Sequence, residues 1–212
     1  MLVVALLVAT TNLGFWQLRR LDERRDHNAR VAVRADEPAV ALATAFGALK
    51  EGNSPKDLRY VRVTVSGTWD VASEVYLANR SRDGVPGVHA VTLLRVDGIH
   101  PSVGIVVDRG FVPRVYYLEG DRSAWAPDRG EVEVAGSLDV GRTGERGDGA
   151  EVDRSDLEAL SDRWGIPLAP MWIRAATSGS AGWPVSAPVY DLGDGPPLSY
   201  AVEWFGFTLS GM

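Results

Sequence analysis

The chain is apolar at both ends and charged between them. Met1 to Trp16 reads MLVVALLVATTNLGFW, with no charged side chain before Arg19, and Leu198 to Met212 reads LSYAVEWFGFTLSGM, with one charge, Glu203. Two apolar termini on one polar body describe a domain held to a bilayer by its first and last helices. A bilayer core takes roughly 20 apolar residues in a helix. Met1 to Leu18 would extend about 27 Å at the helical rise and Leu198 to Met212 about 22 Å. The first is close to a full span and the second is short, which points to residues missing at one or both ends. Phe15, Trp16, Tyr200 and Trp204 stand where interfacial aromatic belts belong. A signal peptide is the first alternative. It fits poorly, because the opening lacks a basic start and an A-x-A site, and Leu18, Leu21 and the cluster Arg19, Arg20, Arg24, Arg25 continue the pattern without a breaker. The second alternative makes both ends buried core helices.

Composition narrows the function classes. With 22 basic and 28 acidic residues the net charge is −6, which argues against a nucleic-acid partner. There is no cysteine, so disulfides, thiolate metal sites and cysteine nucleophiles are excluded. The 212 residues suit one domain with its anchors.

The middle is patterned as β-structure. Leu18 to about Arg34 continues the first helix as a charged stalk, and Asp36 with Pro38 opens a helix, AVALATAFGALK, that stops at Gly52. From Leu58 the period becomes two: Val61, Val63 and Val65 alternate with Arg62, Thr64 and Ser66. Further strands are expected over 74–79, 88–96, 104–109, 131–138 and 171–175. They are separated by turn signals at Asp83-Gly84, Asp97-Gly98 and Asp128-Arg129-Gly130. VTVSGTWD (63–70) and VEVAGSLD (132–139) share V-x-V-x-G-x-x-D, two strands each with a glycine bend. Thr143 to Gly149 and Ser178 to Gly182 are glycine-rich loops. Ser155 to Glu158 reads as a capping box opening a short helix to about Trp164. The expected fold class is α+β: an antiparallel, barrel-like β domain with small helices over 19–197. Transmembrane helices over 1–18 and 198–212 flank it.

Catalytic signals are sparse. His27, His89 and His100 lack metal-ligand spacing, no G-x-S-x-G elbow occurs, and no glycine-rich stretch leads a strand into a helix. No catalytic or metal residue is assigned. His89, in the alternating run VHAVTLL, reads as a half-buried structural histidine. Two polar strings stand out, Asn79 to Gly84 and Val106 to Pro113. Their arginines, Arg80 and Arg109, have a fork that matches a carboxylate. The plainer reading, which is favoured, pairs each with a neighbouring aspartate across a turn. Glu203 would be costly at membrane depth and unremarkable at the headgroups.

Six strings occur in order along the chain: GFWQLRRLDER (14–24), the V-x-V-x-G-x-W-D strand, NRSRDGVPGVHAVTLL (79–94), VVDRGFVP (106–113), the EVEVAG strand and SYAVEWFGF (199–207). Together they resemble the surfeit locus protein one family, membrane-bound assembly factors of haem–copper cytochrome c oxidase. The resemblance implies two transmembrane helices around a β-rich domain. That domain would lie outside the bacterial plasma membrane, or in the mitochondrial intermembrane space of a eukaryote. It overrides the positive-inside rule, which alone would put the Arg19 to Arg34 stretch in the cytoplasm. It also implies a role in haem a delivery or in assembly of the catalytic subunit. Haem a would be a transient cargo, and oxidase subunits and the bilayer the partners. Trp16 and Gln17 match the family after the first anchor, and Tyr200 and Trp204 match it in the second. With Arg19, Arg80 and Arg109 these form the candidate haem or oxidase contacts. The family's histidine, three residues before the tyrosine, is Pro197 in this sequence. Proline cannot bind iron, so haem would be held by apolar and arginine contacts. A permanent accessory subunit of a respiratory oxidase is the alternative function.

Overall fold

The computed structural model describes residues 2–96, 103–144, 147, 149–176 and 182–186, with the side chains of 2–7, 10 and 30 excepted. The chain divides into two units, residues 1–36 with 190–212, and residues 37–189. In the first, α1 (Leu2–Asp36) is one uninterrupted helix, so the charged stretch does continue the opening segment. Among the described residues no helix is long and apolar enough to cross a membrane, so the expected flanking transmembrane helices are not found there. Thr10, Thr11 and Asn12 interrupt the apolar run, and Asn12 turns its amide back onto the Val8 carbonyl at 2.8 Å. The closing segment, 198–212, lies outside the described residues, as do the Asp97-Gly98 turn and the loop at 178–181.

The second unit is built on β2 (Arg62–Arg82), a strand of 21 residues. The strands expected at 61–65 and 74–79 are its two halves. Asp70 to Glu74 absorbs the junction as a register shift rather than a turn, because no glycine or proline stands there to break the chain. β2 and β3 (Val85–Arg95) form a hairpin through Asp83 and Gly84, whose φ values of 51° and 78° suit a type I′ turn. β3 pairs with β4 (Gly104–Pro113), which is buried along its whole length.

The first half of β2 pairs with β5 (Glu131–Asp139). The two copies of V-x-V-x-G are therefore ladder partners: Val63 faces Gly136, Val65 faces Val134 and Gly67 faces Val132. Each glycine is also where another strand crowds in. A Cβ on Gly67 would lie 2.4 Å from the Arg95 carbonyl, and one on Gly136 would lie 2.3 Å from the Arg174 carbonyl. The pairings return to their start, β2–β3–β4–β7–β5–β2, with β7 at Trp172–Ala175.

The sheet is mixed rather than antiparallel throughout. β7 runs parallel to β4, and two-residue strands β1 (Val40–Ala41) and β6 (Glu151–Val152) run parallel to β2. β1 and β6 are too short to carry a period-two signal, and β7, expected over 171–175, is found, but a strand's pattern does not give its direction. α2 (Leu42–Lys50) packs Leu42 and Ala45 into a core with Val63, Leu94, Val107 and Ile173. α3 (Arg114–Glu119) and a 3-10 turn (Arg122–Trp125) place Tyr117 and Trp125 against Tyr76, Val88 and Val112. α4 (Leu157–Trp164) sets Leu160 against Val75, Val91 and Trp172. Its cap is Asp156, which accepts from the Ala159 amide at 3.1 Å, and not the expected Ser155, which is buried.

Candidate functional site

Three consecutive residues of β4 build the site. Val91 pairs with Asp108 and Ala90 with Gly110, so Arg109 is an extra residue bulged out of the ladder. Gly110 takes φ +124°, and a Cβ there would sit 2.2 Å from the Val185 carbonyl, so only glycine fits. The Asp108 carboxylate accepts from the Gly110 amide at 3.0 Å, which ties the bulge down. The bulge separates the two neighbouring charges. Asp108, 3% exposed, meets His89, whose Nδ1 lies 2.9 and 3.1 Å from its two oxygens. Arg109 meets Glu74 instead, at 2.8 Å.

The expectation that each arginine pairs with a neighbouring aspartate is thus corrected. Arg109 is buried, reaches a carboxylate 35 positions away, and also donates to Thr92 Oγ1 and the Trp125 carbonyl, with its guanidinium 5.8 Å from the Trp69 ring centre. Burial lowers the Arg109 pKa, and Glu74 works against that. Tyr76 donates its hydroxyl to Glu74, and its pKa is pushed up to about 12 by burial first and by Glu74 next. These groups form a closed structural network. Arg80 donates to the carbonyls of Ala78 and Asn79, on its own strand.

His89, Asp108 and Arg80 share a cavity of about 1000 Å³ with Arg142, Arg154 and Arg174. That size is at the upper end of small-molecule sites. Asp139 and Asp153 also line it, but Asp139 is held by Arg59 at 2.6 Å and Asp108 by His89. Among the described residues, Asp153 is thus the one lining carboxylate with no such partner beside the guanidinium groups of Arg80, Arg142, Arg154 and Arg174. Burial lowers the Arg80 pKa most; Asp108 opposes that, while Arg142 and Arg174 add to it. A site of this kind favours a multiply charged anion. Trp172 gives it an apolar wall, with an indole N–H that is buried and has no acceptor among the described residues. Also among the described residues, no three His, Cys, Asp or Glu side chains gather to hold a metal ion.

Of the candidate residues that the structure describes, only Arg80 lines this cavity; Arg109 belongs to the network on Glu74. Trp16, Gln17 and Arg19 lie on α1, where the Arg20 guanidinium stacks 5.4 Å from the Trp16 ring centre. Tyr200 and Trp204, like Pro197 and Glu203, lie outside the described residues. Sequence reasoning missed the His89–Asp108 pair and the arginines at 142, 154 and 174. The signal was a D-x-G triplet, the mark of a glycine bulge, opposite a histidine on the preceding strand.

A search of curated proteins finds no match to this chain. The family model described as "SURF1 family" matches residues 4–209, nearly the whole sequence. The surfeit resemblance of the six strings and this match agree along the chain that carries the cavity: it belongs to the SURF1 family, which is associated with cytochrome c oxidase assembly.

Proposed function

We propose that this chain is a membrane-anchored assembly factor for haem–copper cytochrome c oxidase, assisting delivery or insertion of haem a into the catalytic subunit. The observation that carries the reading is the arginine-lined cavity on the β domain of a SURF1-family chain. A haem presents two carboxylates on a flat apolar ring. The forks of Arg80, Arg142 and Arg154 suit the carboxylates, and Trp172 offers an apolar wall. The chain's part is to hold and orient a cargo, and no catalytic step is assigned to it.

In this reading Met1–Leu18 and Leu198–Met212 are the membrane anchors. The domain lies outside the plasma membrane of a bacterium, or faces the intermembrane space of a mitochondrion. Trp16, Gln17, Arg19, Tyr200 and Trp204 then contact haem or oxidase subunits at the membrane surface. The apolar termini and the aromatic residues at their edges support this placement. Deletion of the gene tests the function: the oxidase should assemble without its full complement of haem a. Fully active, fully haem-loaded oxidase in the deletion strain overturns it. Alkaline extraction tests the anchors, since full-length protein released without detergent would refute them.

A further inference from the structure

We infer that the cavity beside Arg80 is a binding site for a small, multiply charged phosphoryl anion, held by Arg80, Arg142 and Arg154. The inference goes beyond the proposed function and does not rest on it. Among the described residues that line the cavity, only Leu77, Val140 and Trp172 have apolar side chains; the rest are charged, polar or glycine. Such a lining suits a hydrated ion. It also holds donors in excess. Arg142 and Arg154 make no ion pair or side-chain hydrogen bond among the described residues. Arg80 uses Nη1 on the Ala78 and Asn79 carbonyls and keeps Nε and Nη2 without a partner there. Ser155 is 5% exposed, and its hydroxyl has no partner among the described residues; the buried Trp172 indole N–H has no acceptor either. Donors without acceptors call for a ligand made of acceptors. On the acidic side, Asp139 is held by Arg59, and Asp108 by His89 and the Gly110 amide, which leaves Asp153 to oppose an anion.

Two loops are pressed together to bring these groups to the cavity. The segment after β5, 140–144, meets the segment before α4, 153–156. The Arg142 amide donates to the Ser155 carbonyl at 3.0 Å, and a Cβ on Gly141 would lie 2.7 Å from that same oxygen. A Cβ on Gly144 would lie 2.2 Å from Arg154 Cδ, so the arginine stem crosses bare backbone. Burial lowers the Arg80 pKa most, Asp108 opposes that, and the charges of Arg142 and Arg174 add to it. Cations are thus gathered near one another, and a bound anion relieves their repulsion. A carboxylate brings one charge and two oxygens. A phosphoryl group brings about two charges and three acceptor oxygens, which matches three guanidinium groups better. An anion seated there excludes the carboxylates that the proposed function places on the same arginines, so the two occupants take the cavity in turn.

Calorimetric titration of the full-length protein in mild detergent, without phosphate buffer, tests the site with pyrophosphate, succinate and a short-chain phosphatidic acid. Pyrophosphate should bind with a Kd below about 1 mM, more tightly than succinate, and should lose affinity as salt rises. Replacing Arg142 and Arg154 together by alanine should weaken it by about tenfold or more. Asp153→Asn removes the opposing charge and should tighten it by about threefold. All three positions are exposed, so these changes leave the core untouched, and a tightening is not what a merely structural role produces. Phosphatidic acid binding ahead of pyrophosphate assigns the same chemistry to a lipid headgroup; the reverse order assigns it to a free phosphate. A Kd above about 1 mM for both phosphoryl probes overturns the inference. So does tighter binding of succinate, or an affinity unchanged in both the arginine and the Asp153 variants. If the deletion strain lacks haem a while no phosphoryl probe binds, the inference fails and the proposed function stands. Phosphoryl binding with normal oxidase in the deletion strain is the opposite case.

Discussion

Arg109 and Glu74 hold each other at 2.8 Å with side chains only 10% and 15% exposed, although 35 positions separate them. The pair is three-sided: Thr92 donates to the same carboxylate oxygen at 3.0 Å, and Arg109 also reaches the Trp125 carbonyl. Breaking a buried pair on one side strands the other charge, which costs roughly 3–5 kcal/mol. Arg109→Met should cost that much, and adding Glu74→Leu should return a large part of it. Denaturant midpoints of the two variants decide this; equal midpoints would show that the pair carries no such penalty.

Stability should fall in strong alkali because of Tyr76. Its hydroxyl keeps its proton up to about pH 12 in the folded protein, whereas in the unfolded chain a tyrosine loses it near pH 10. Between those values the folded state binds more protons, so stability drops as pH rises, and it is complete below pH 10. The full span is worth roughly 2–3 kcal/mol. Tyr76→Phe should flatten the decline, measured as urea midpoints at several pH values from 8 to 11.5.

Two glycine changes should move stability in opposite directions. Gly136→Ala drives a methyl to 2.3 Å from the Arg174 carbonyl and should open the β5–β7 ladder at a cost of about 1–3 kcal/mol. Gly47→Ala lies in the interior of α2 with nothing within 4 Å of the new carbon, and should stabilise by about 0.5–1 kcal/mol. Thermal midpoints of the two variants give the signs directly.

The cap of α4 offers a smaller test. Asp156→Ala removes the acceptor for the Ala159 amide and should cost about 1 kcal/mol. Helix content by circular dichroism and the denaturant midpoint should fall together.

Much of the β domain was legible in the residues. Valines alternating with polar groups marked β2, Asp83-Gly84 marked its hairpin, and the apolar run before Asp108 marked β4. What could not be read depended on register. Nothing local tells that Asp70 to Glu74 stays extended and fuses two strands into one, or that β6 and β7 arrive parallel to their neighbours. α3 has six residues and leaves Val115, Tyr116 and Leu118 exposed, so it shows no amphipathic period. The site suffered most. Asp108 and Arg109 are adjacent in sequence and look like partners; a single bulged residue sends them to different companions, and only the paired strand reveals it.

The mating of the two V-x-V-x-G segments sets an order of events for folding. β2 and β3 can zip outward from a two-residue turn, with little chain entropy to surrender. The other flank of β2 must wait for far later residues, since Thr68 joins Glu131 and Arg62 joins Ser137. Until β5 arrives, Arg62 to Gly67 is an unmated edge whose natural complement is nearly a copy of itself. A nascent chain crowded against others of its kind is exposed to exchange at that seam.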